Sequence, residues 1–394
     1  MSGLDVERAR SQTPGVSHRI HLNNAGAGLL TTQTLEVMVE HLELEATIGG
    51  YEAEALRQQE IQAVYAGLAR LLGGRADEIA LFDNSTHAFN AAFYSLPLRR
   101  GDRIITCRAE YGSNVLAYLQ RAERDGVEVV VAPDDESGQI DVSALADLID
   151  DRTRLIGMSH VPTGGGLVNP AEQVGEVARA AAVPFLLDAT QSVGQLPLDV
   201  KVLGADFVTG TGRKFLRGPR GIGFLWVRPE TLDLLDPFVN EIEASTWNGG
   251  RGYRWHAGAK RLETWERSYS NVLGLGAAVD QALECGLPAI EERAVSLGAR
   301  LRDGLSSIDG VTTHDLGERR CAIVTAKVEG SAADEVSHLL RERGINTSVT
   351  DGFQNQFDQE VRPVHPLVRF SPHYYNTEQE IDETVEAVAG IAAG

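Results

Sequence analysis

Residues 184–227 read PFLLDATQSVGQLPLDVKVLGADFVTGTGRKFLRGPRGIGFLWV. Three short, nearly unbroken apolar runs stand out in it: PFLLD (184–188), DFVTG (206–210) and GIGFLWV (221–227), each bounded by turn formers. A strand that is apolar at almost every position has both faces covered, as in a parallel sheet between layers of helices. Working back along the chain, RLIGMS (154–159), VEVVVA (127–132), RIITC (103–107) and IALF (79–82) continue the series. Between most of them lie amphipathic segments such as NVLAYLQRAERDG and PAEQVGEVARAAA, with apolar residues at helical spacing. The expectation is an α/β fold on a mainly parallel seven-stranded sheet between helices. The last two runs follow one another without a helix, so one of them is expected to be antiparallel or at an edge.

Outside this stretch, 31–73 reads as two helices, capped by Thr31 or Thr32, parted at Gly49-Gly50 and ended at Gly73-Gly74. Residues 240–270 show no clean period and are rich in Gly, Trp and Arg, so they are expected to be irregular and to line a site. Then 271–308 is helical with a break at Gly286, and CAIVTAKV, a helix over 331–343, NTSVT, LVRFS and a final helix from Thr377 suggest a smaller α+β domain. The expected division is an arm over 1–30, which joins the small domain, a large domain over 31–265, and a small C-terminal domain over 266–394.

Composition narrows the function. Among 394 residues, 43% are hydrophobic and 23% charged, and the net charge is −20. Such a chain is globular, repels phosphate backbones and anionic lipid, and predicts neither a nucleic-acid nor a membrane partner. No apolar run reaches the ~18 residues of a membrane span, and no signal peptide is evident, so a cytoplasmic protein is expected. Cys107, Cys285 and Cys321 are odd in number and far apart, which supports neither a disulfide framework nor a zinc site, and no metal is expected. Only Lys201, Lys214, Lys260 and Lys327 can supply an amine that loses its proton, because arginine cannot.

Ligands of parallel α/β sheets bind beyond the carboxyl ends of the strands, and four places fit that rule. Asn84, Ser85 and Thr86 follow a strand and open a helix, which suits a phosphate but would equally make a plain N-cap. Asp188 ends an apolar strand with Gln191 three residues on, and a carboxylate there needs a partner unless it merely caps a helix. Lys214 sits between two strands in a glycine-rich loop that is not a Walker motif, since Phe215 stands where Ser or Thr is required. Arg369, on a short apolar strand, could clamp a carboxylate or tie the domains together by an ion pair. A phosphate site, an Asp, a Lys and a carboxylate-binding Arg are the parts list for pyridoxal phosphate acting on an amino acid.

With these residues, the chain resembles the class V aminotransferase superfamily of fold type I, which includes cysteine desulfurases and cysteine C–S lyases. The likeness runs from HLNNAGAG (21–28) to SPHYYNTEQEID (371–382). It implies that Lys214, in TGRKFLRGPRGIG, carries the cofactor, with Asp188 at the ring nitrogen and Gln191 at the phenolic oxygen. It implies Ser85, Thr86 and Thr211 at the phosphate, Arg213 beside it in place of a usual histidine, and Tyr111 of AEYGSNV stacked on the ring. Arg369 would take the substrate carboxylate, with Thr163 (where relatives often have Asn) and Asn24 nearby. Trp247, Asn248, Tyr253 and Arg254 are candidates for the substrate mouth, or for an interface in the homodimer that the resemblance implies.

Desulfurases carry a nucleophilic cysteine shortly before the carboxylate arginine; here that stretch, TSVTDGFQNQF (347–357), has none. The GGYEAEA, RKFLRGPRGIG and RFSPHYYNT segments most resemble lyases that split S-substituted cysteine or cysteine sulfoxide, the ergothioneine-type sulfoxide lyases among them. The expected reaction is β-elimination to a thiol or sulfenate fragment, pyruvate and ammonia. The alternatives are an aminotransferase or an amino-acid epimerase, then a desulfurase or a non-catalytic binding protein.

Overall fold

The structure is a computed structural model and describes residues 4–394. Its main sheet has seven strands: β1 (Ile79–Phe82), β2 (Arg103–Thr106), β3 (Glu128–Val131), β4 (Thr153–Ser159), β5 (Phe185–Asp188), β6 (Phe207–Thr211) and β7 (Gly223–Val227). They lie in the order β1-β7-β6-β5-β4-β2-β3. Two of the six pairings are antiparallel and both belong to one strand: β7 runs antiparallel to β1 and to β6, while β6, β5, β4, β2 and β3 are mutually parallel. The expected antiparallel strand is therefore β7, yet it lies inside the sheet, and the edge belongs to β1.

The unbroken apolar runs are explained by burial on both faces. Phe185 and Leu187 of β5 join one core with Phe224 and Trp226 of β7. Leu186, Leu225 and Val227 join a second core across the sheet. The period of two along each strand sends alternate side chains to opposite helical layers.

The helices used below are α1 (Thr32–Ile48), α2 (Gly50–Leu72), α3 (Ser85–Tyr94), α4 (Gly112–Asp125), α5 (Ala171–Ala180), α6 (Tyr269–Cys285), α7 (Leu287–Ser306), α8 (Ala333–Glu342) and α9 (Glu378–Ala392). Thr31 caps α1 by accepting from the Thr34 N–H, and Thr377 caps α9 in a reciprocal box with Glu380. A second, antiparallel sheet contains β8 (Val311–Thr313), β9 (Val324–Val328), β10 (Ser348–Thr350) and β11 (Leu367–Phe370), in the order β8-β9-β11-β10. Arg369 on β11 is central, flanked by Thr325 and Ser348.

Residues 20–21 pair in parallel with 345–346, and Leu22 lies in the core beneath the second sheet. We propose on this ground that the N-terminal arm belongs with the small unit. Val272, Leu275 and Val279 of α6 are buried in the main core, so we place that helix with the large unit rather than dividing at 265. Segment 240–270 departs from expectation: Ser245–Trp247 and Tyr253–Trp255 form an antiparallel hairpin, not an irregular run. No helix among the described residues is long and apolar enough to cross a membrane.

Candidate active site

The carboxyl ends of β4, β5 and β6 open on a cavity of about 420 Å³. Its walls bring together ten of the residues singled out in the sequence: Asn84, Ser85, Thr86, Tyr111, Thr163, Asp188, Gln191, Thr211, Arg213 and Lys214. A larger cavity next to it, about 570 Å³, shares only His87 with it and has no lysine.

One end is built by the start of α3. Asn84 is the N-cap, its side chain accepting from the His87 N–H at 2.9 Å. The cap is thus supplied by Asn84, which leaves the Ser85 and Thr86 hydroxyls to face the cavity. The first N–H groups of a helix have no partner within it and carry the positive end of its dipole, so this end favours an anion. A Cβ on Gly223 would stand 2.5 Å from the carbonyl carbon of Asn84. The glycine is what lets β7 abut the helix start. Ser85 also shares a hydrogen bond with Thr190, and the Thr211 hydroxyl donates to the Ile222 carbonyl at 3.2 Å.

Asp188 occupies the floor, 7% exposed. One oxygen accepts from the Thr190 N–H at 2.9 Å and the other from the Asn114 amide at 3.0 Å. No helix starts at Asp188, so it is not the helix cap that the alternative reading held open; it braces a turn through the Thr190 N–H and faces the cavity. Gln191 donates to the Ala25 carbonyl at 3.2 Å and to Thr163 at 3.3 Å, while its own carbonyl oxygen is buried without a partner. An orphaned amide end here calls for a bound group to complete it.

Lys214 is buried, 7% exposed, in the loop between β6 and β7. Burial, then Arg213 and Arg369, push its pKa well below the ordinary 10.5, against the opposing pull of Asp188. The shift favours the uncharged amine, the form that acts as nucleophile or base. Arg213 donates to the Gly26 carbonyl, and burial followed by Arg220 lowers its pKa.

Arg369 stands behind Thr163 rather than forming the cavity wall. It donates to the Thr163 carbonyl at 3.0 Å, to the Thr163 hydroxyl at 2.7 Å and to Ser348 at 3.2 Å. Burial and then Arg213 lower its pKa to about 10. All three contacts are neutral oxygens, so the inter-domain ion pair is not formed among the described residues. Thr163 therefore positions both Arg369 and Gln191.

Two of the expected substrate contacts, Asn24 and Trp247, do not line the cavity of this single chain. Asn24 is fully buried, and its amide is spent on the Ser371 carbonyl at 2.8 Å and the Tyr375 hydroxyl at 2.6 Å. It ties the N-terminal arm down instead of facing substrate. Trp247 is 74% exposed on the hairpin and, like Asn248, Tyr253 and Arg254, does not line the cavity. Residues that sequence reasoning missed include Asn114, Ser159 and Thr190 in the wall, and Glu110 behind it. A signal existed: Glu110 and Asn114 are four apart, and Asn114 falls on the buried face of α4 with Val115 and Tyr118.

Residues 20–384 match the aminotransferase class-V family. A probable cysteine desulfurase of Methanothermobacter thermautotrophicus is 27% identical, over 98% of this chain and 99% of the relative. Among solved structures, the apo cysteine desulfurase of Thermococcus onnurineus NA1 superposes with a TM-score of 0.93 at 24% identity, covering 100% of both chains. The cystine C–S lyase C-DES, in complex with its product cysteine persulfide, gives 0.86 at 24% identity, over 96% of this chain and 99% of that one. At these identities the solved structures speak for the fold, that of fold type I, while the family match covers nearly the whole chain. The hydroxyls and helix start at one end, the carboxylate on the floor and the buried lysine amine suit the phosphate, ring and aldehyde of pyridoxal phosphate. The chain belongs to the class V aminotransferase family, and pyridoxal phosphate is its cofactor.

Proposed function

We propose that the protein is a carbon–sulfur lyase that performs β-elimination on an S-substituted cysteine or cysteine sulfoxide. The products are a thiol or sulfenate fragment, pyruvate and ammonia, with one water consumed. The observation that carries this reading is a site supplied for an amino acid but without a thiol in it. Cys107 and Cys321 are buried, and burial pushes the first thiol pKa well up and the second to about 12. Cys285 is half-buried on α6, and no cysteine lines the cavity. A persulfide relay needs a thiolate, so sulfur here leaves on its own substituent, unlike in the desulfurases named among the relatives.

The cofactor, when bound, supplies an electron sink for the substrate Cα. We assign its phosphate to Ser85, Thr86, Thr211 and Arg213, its ring nitrogen to Asp188, its phenolic oxygen to Gln191 and its ring face to Tyr111. Lys214 is the tether and then the base that takes the α-proton. Arg369 orients the carboxylate with its unused guanidinium nitrogen, held in place by Thr163 and Ser348.

Incubation of the purified holoenzyme with S-alkyl cysteines and cysteine sulfoxides should release pyruvate and ammonia without any keto acid. Strict dependence on a keto-acid acceptor would make it an aminotransferase instead. We also propose a cytoplasmic homodimer. Leu42, Tyr51 and Leu56 on α1 and α2 are exposed, as is Trp247, and large apolar groups in such number call for a cover. Sedimentation at a single-chain mass would refute the dimer.

A further inference from the structure

The carboxylate of Glu110 lies next to this site, and no step above uses it. It is 1% exposed and precedes Tyr111 in the turn from β2 into α4. Five donors converge on it. One oxygen accepts from the Ser159 hydroxyl, from the Tyr111 N–H at 2.8 Å and from the Asn114 amide at 3.0 Å. The other accepts from the Thr106 hydroxyl at 3.1 Å and faces the Tyr118 hydroxyl at 3.4 Å. None of the five is a cation. Burial raises the Glu110 pKa, as does Asp188 nearby, while the bonds from Ser159 and Asn114 lower it.

The Asn114 amide decides the meaning of the arrangement. Its nitrogen donates to Glu110 at 3.0 Å and to Asp188 at 3.0 Å. An NH2 group has two hydrogens, so each carboxylate takes one and the amide plane is fixed by both. The side of Asp188 not held by the Thr190 N–H is thus held, at one remove, by Glu110. The Tyr111 main chain hangs on the same carboxylate.

We propose that Glu110 is a positioning residue for the cofactor ring: through Asn114 it locks the Asp188 carboxylate toward the ring nitrogen, and through the main chain it sets Tyr111 over the ring face. The proposal rests on the reading that Asp188 meets that nitrogen. A second carboxylate one amide away also deepens the negative potential there, which favours the protonated nitrogen. Losing the lock leaves Asp188 free to turn, and the contact most affected is the one to the ring nitrogen.

The test compares dissociation constants for pyridoxal phosphate and its 1-deaza analogue, which has carbon in place of the ring nitrogen. The wild type should prefer pyridoxal phosphate. Glu110→Gln and Asn114→Ala should each cut that preference roughly ten-fold, as expected for a hydrogen bond to a charged group. The double variant should cut it no further. Glu110→Asp, which keeps the charge, should restore part of it, and kcat should fall about ten-fold with KM within about three-fold. Equal loss for both cofactors would reduce Glu110 to a structural role and overturn the proposal, as would an unchanged preference. Should Glu110→Gln not fold, Asn114→Ala reads the same link with Glu110 intact. Asp188→Asn separates the two layers. If it abolishes the preference while Glu110→Gln and Asn114→Ala do not, only this proposal fails; if it leaves the preference intact, the assignment of Asp188 fails as well.

Discussion

Among the described residues, two arginines are buried without a carboxylate partner, and they are buried differently. Arg217 is 2% exposed and gives every arm of its guanidinium away: to the Leu29 carbonyl at 2.9 Å, the Tyr374 hydroxyl at 2.5 Å and the Thr13 hydroxyl at 2.6 Å. The rings of Tyr374 and Tyr375 lie 5.1 and 4.5 Å from its centre. Arg369 has no aromatic cover, and one of its terminal nitrogens has no protein acceptor among the described residues. Its neighbour Arg213 adds positive charge instead of cancelling it. A buried cation whose donors are all used holds a fold together. One that keeps a free terminal nitrogen beside a second arginine is poised for an anion, and the substrate carboxylate is the anion we propose for it.

The contrast can be broken most sharply at Lys214. Lys214→Met should lower turnover by roughly 10⁴-fold, the upper end of general-base catalysis. The apo protein should lose no stability. Its pH dependence should change with a definite sign: the native amine is depressed below 10.5, so between its native value and 10.5 the unfolded chain binds the extra proton. Stability of the wild type therefore rises with pH through that window, and the substitution flattens the slope. Chemical denaturation of the apo forms at several alkaline pH values reads it.

Next come the arginines themselves. Arg369→Met should cost about 10²- to 10³-fold in kcat/KM, mainly through KM, and leave the unfolding free energy within about 1 kcal/mol, because the acceptors it strands on Thr163 and Ser348 are offset by removal of a buried cation set beside Arg213. Arg217→Met should do the reverse, removing about 3 kcal/mol of stability by stranding three acceptors while cofactor affinity holds. Urea titration beside steady-state kinetics distinguishes the two, and similar behaviour of both variants would dissolve the comparison.

A smaller effect sharpens the closed side. His373 lies beside Arg217 and its Nε2 donates to the Phe215 carbonyl at 2.7 Å; burial, then Arg217, lowers its pKa to about 3. As pH falls from 6.5 to about 3, the unfolded chain takes up a proton that the native ring refuses, so stability drops. His373→Asn should flatten that part of the acid limb by one proton's slope. Smallest is Ser85→Ala, which removes one hydroxyl from the anion end and should weaken cofactor binding by about five-fold, read by fluorescence titration.

Much of this was legible in the chain itself, for physical reasons. Strands β5, β6 and β7 are buried on both faces, so their sequences are apolar without interruption, and Asp188 and Lys214 break the pattern where solvent or a ligand must enter. The interior place of β7 was not legible, because whether a strand sits at an edge depends on which distant strand covers it, here β1 some 140 residues earlier. Asn24 was misread because a buried amide held by Ser371 and Tyr375 looks, in sequence, like any polar residue near a glycine turn. Glu110 was overlooked because its partners come from three elements, of which only Asn114 lies at a telling spacing.

The seclusion of the thiols has a consequence for handling the protein. An alkylating reagent meets Cys285 before it meets anything else, since Cys107 and Cys321 are sealed in the interior. Treatment with iodoacetamide should mark one position on α6 and leave catalysis as it was. An enzyme that carried sulfur on its own side chain would be silenced by the same treatment, so the reagent separates the two ways of handling sulfur.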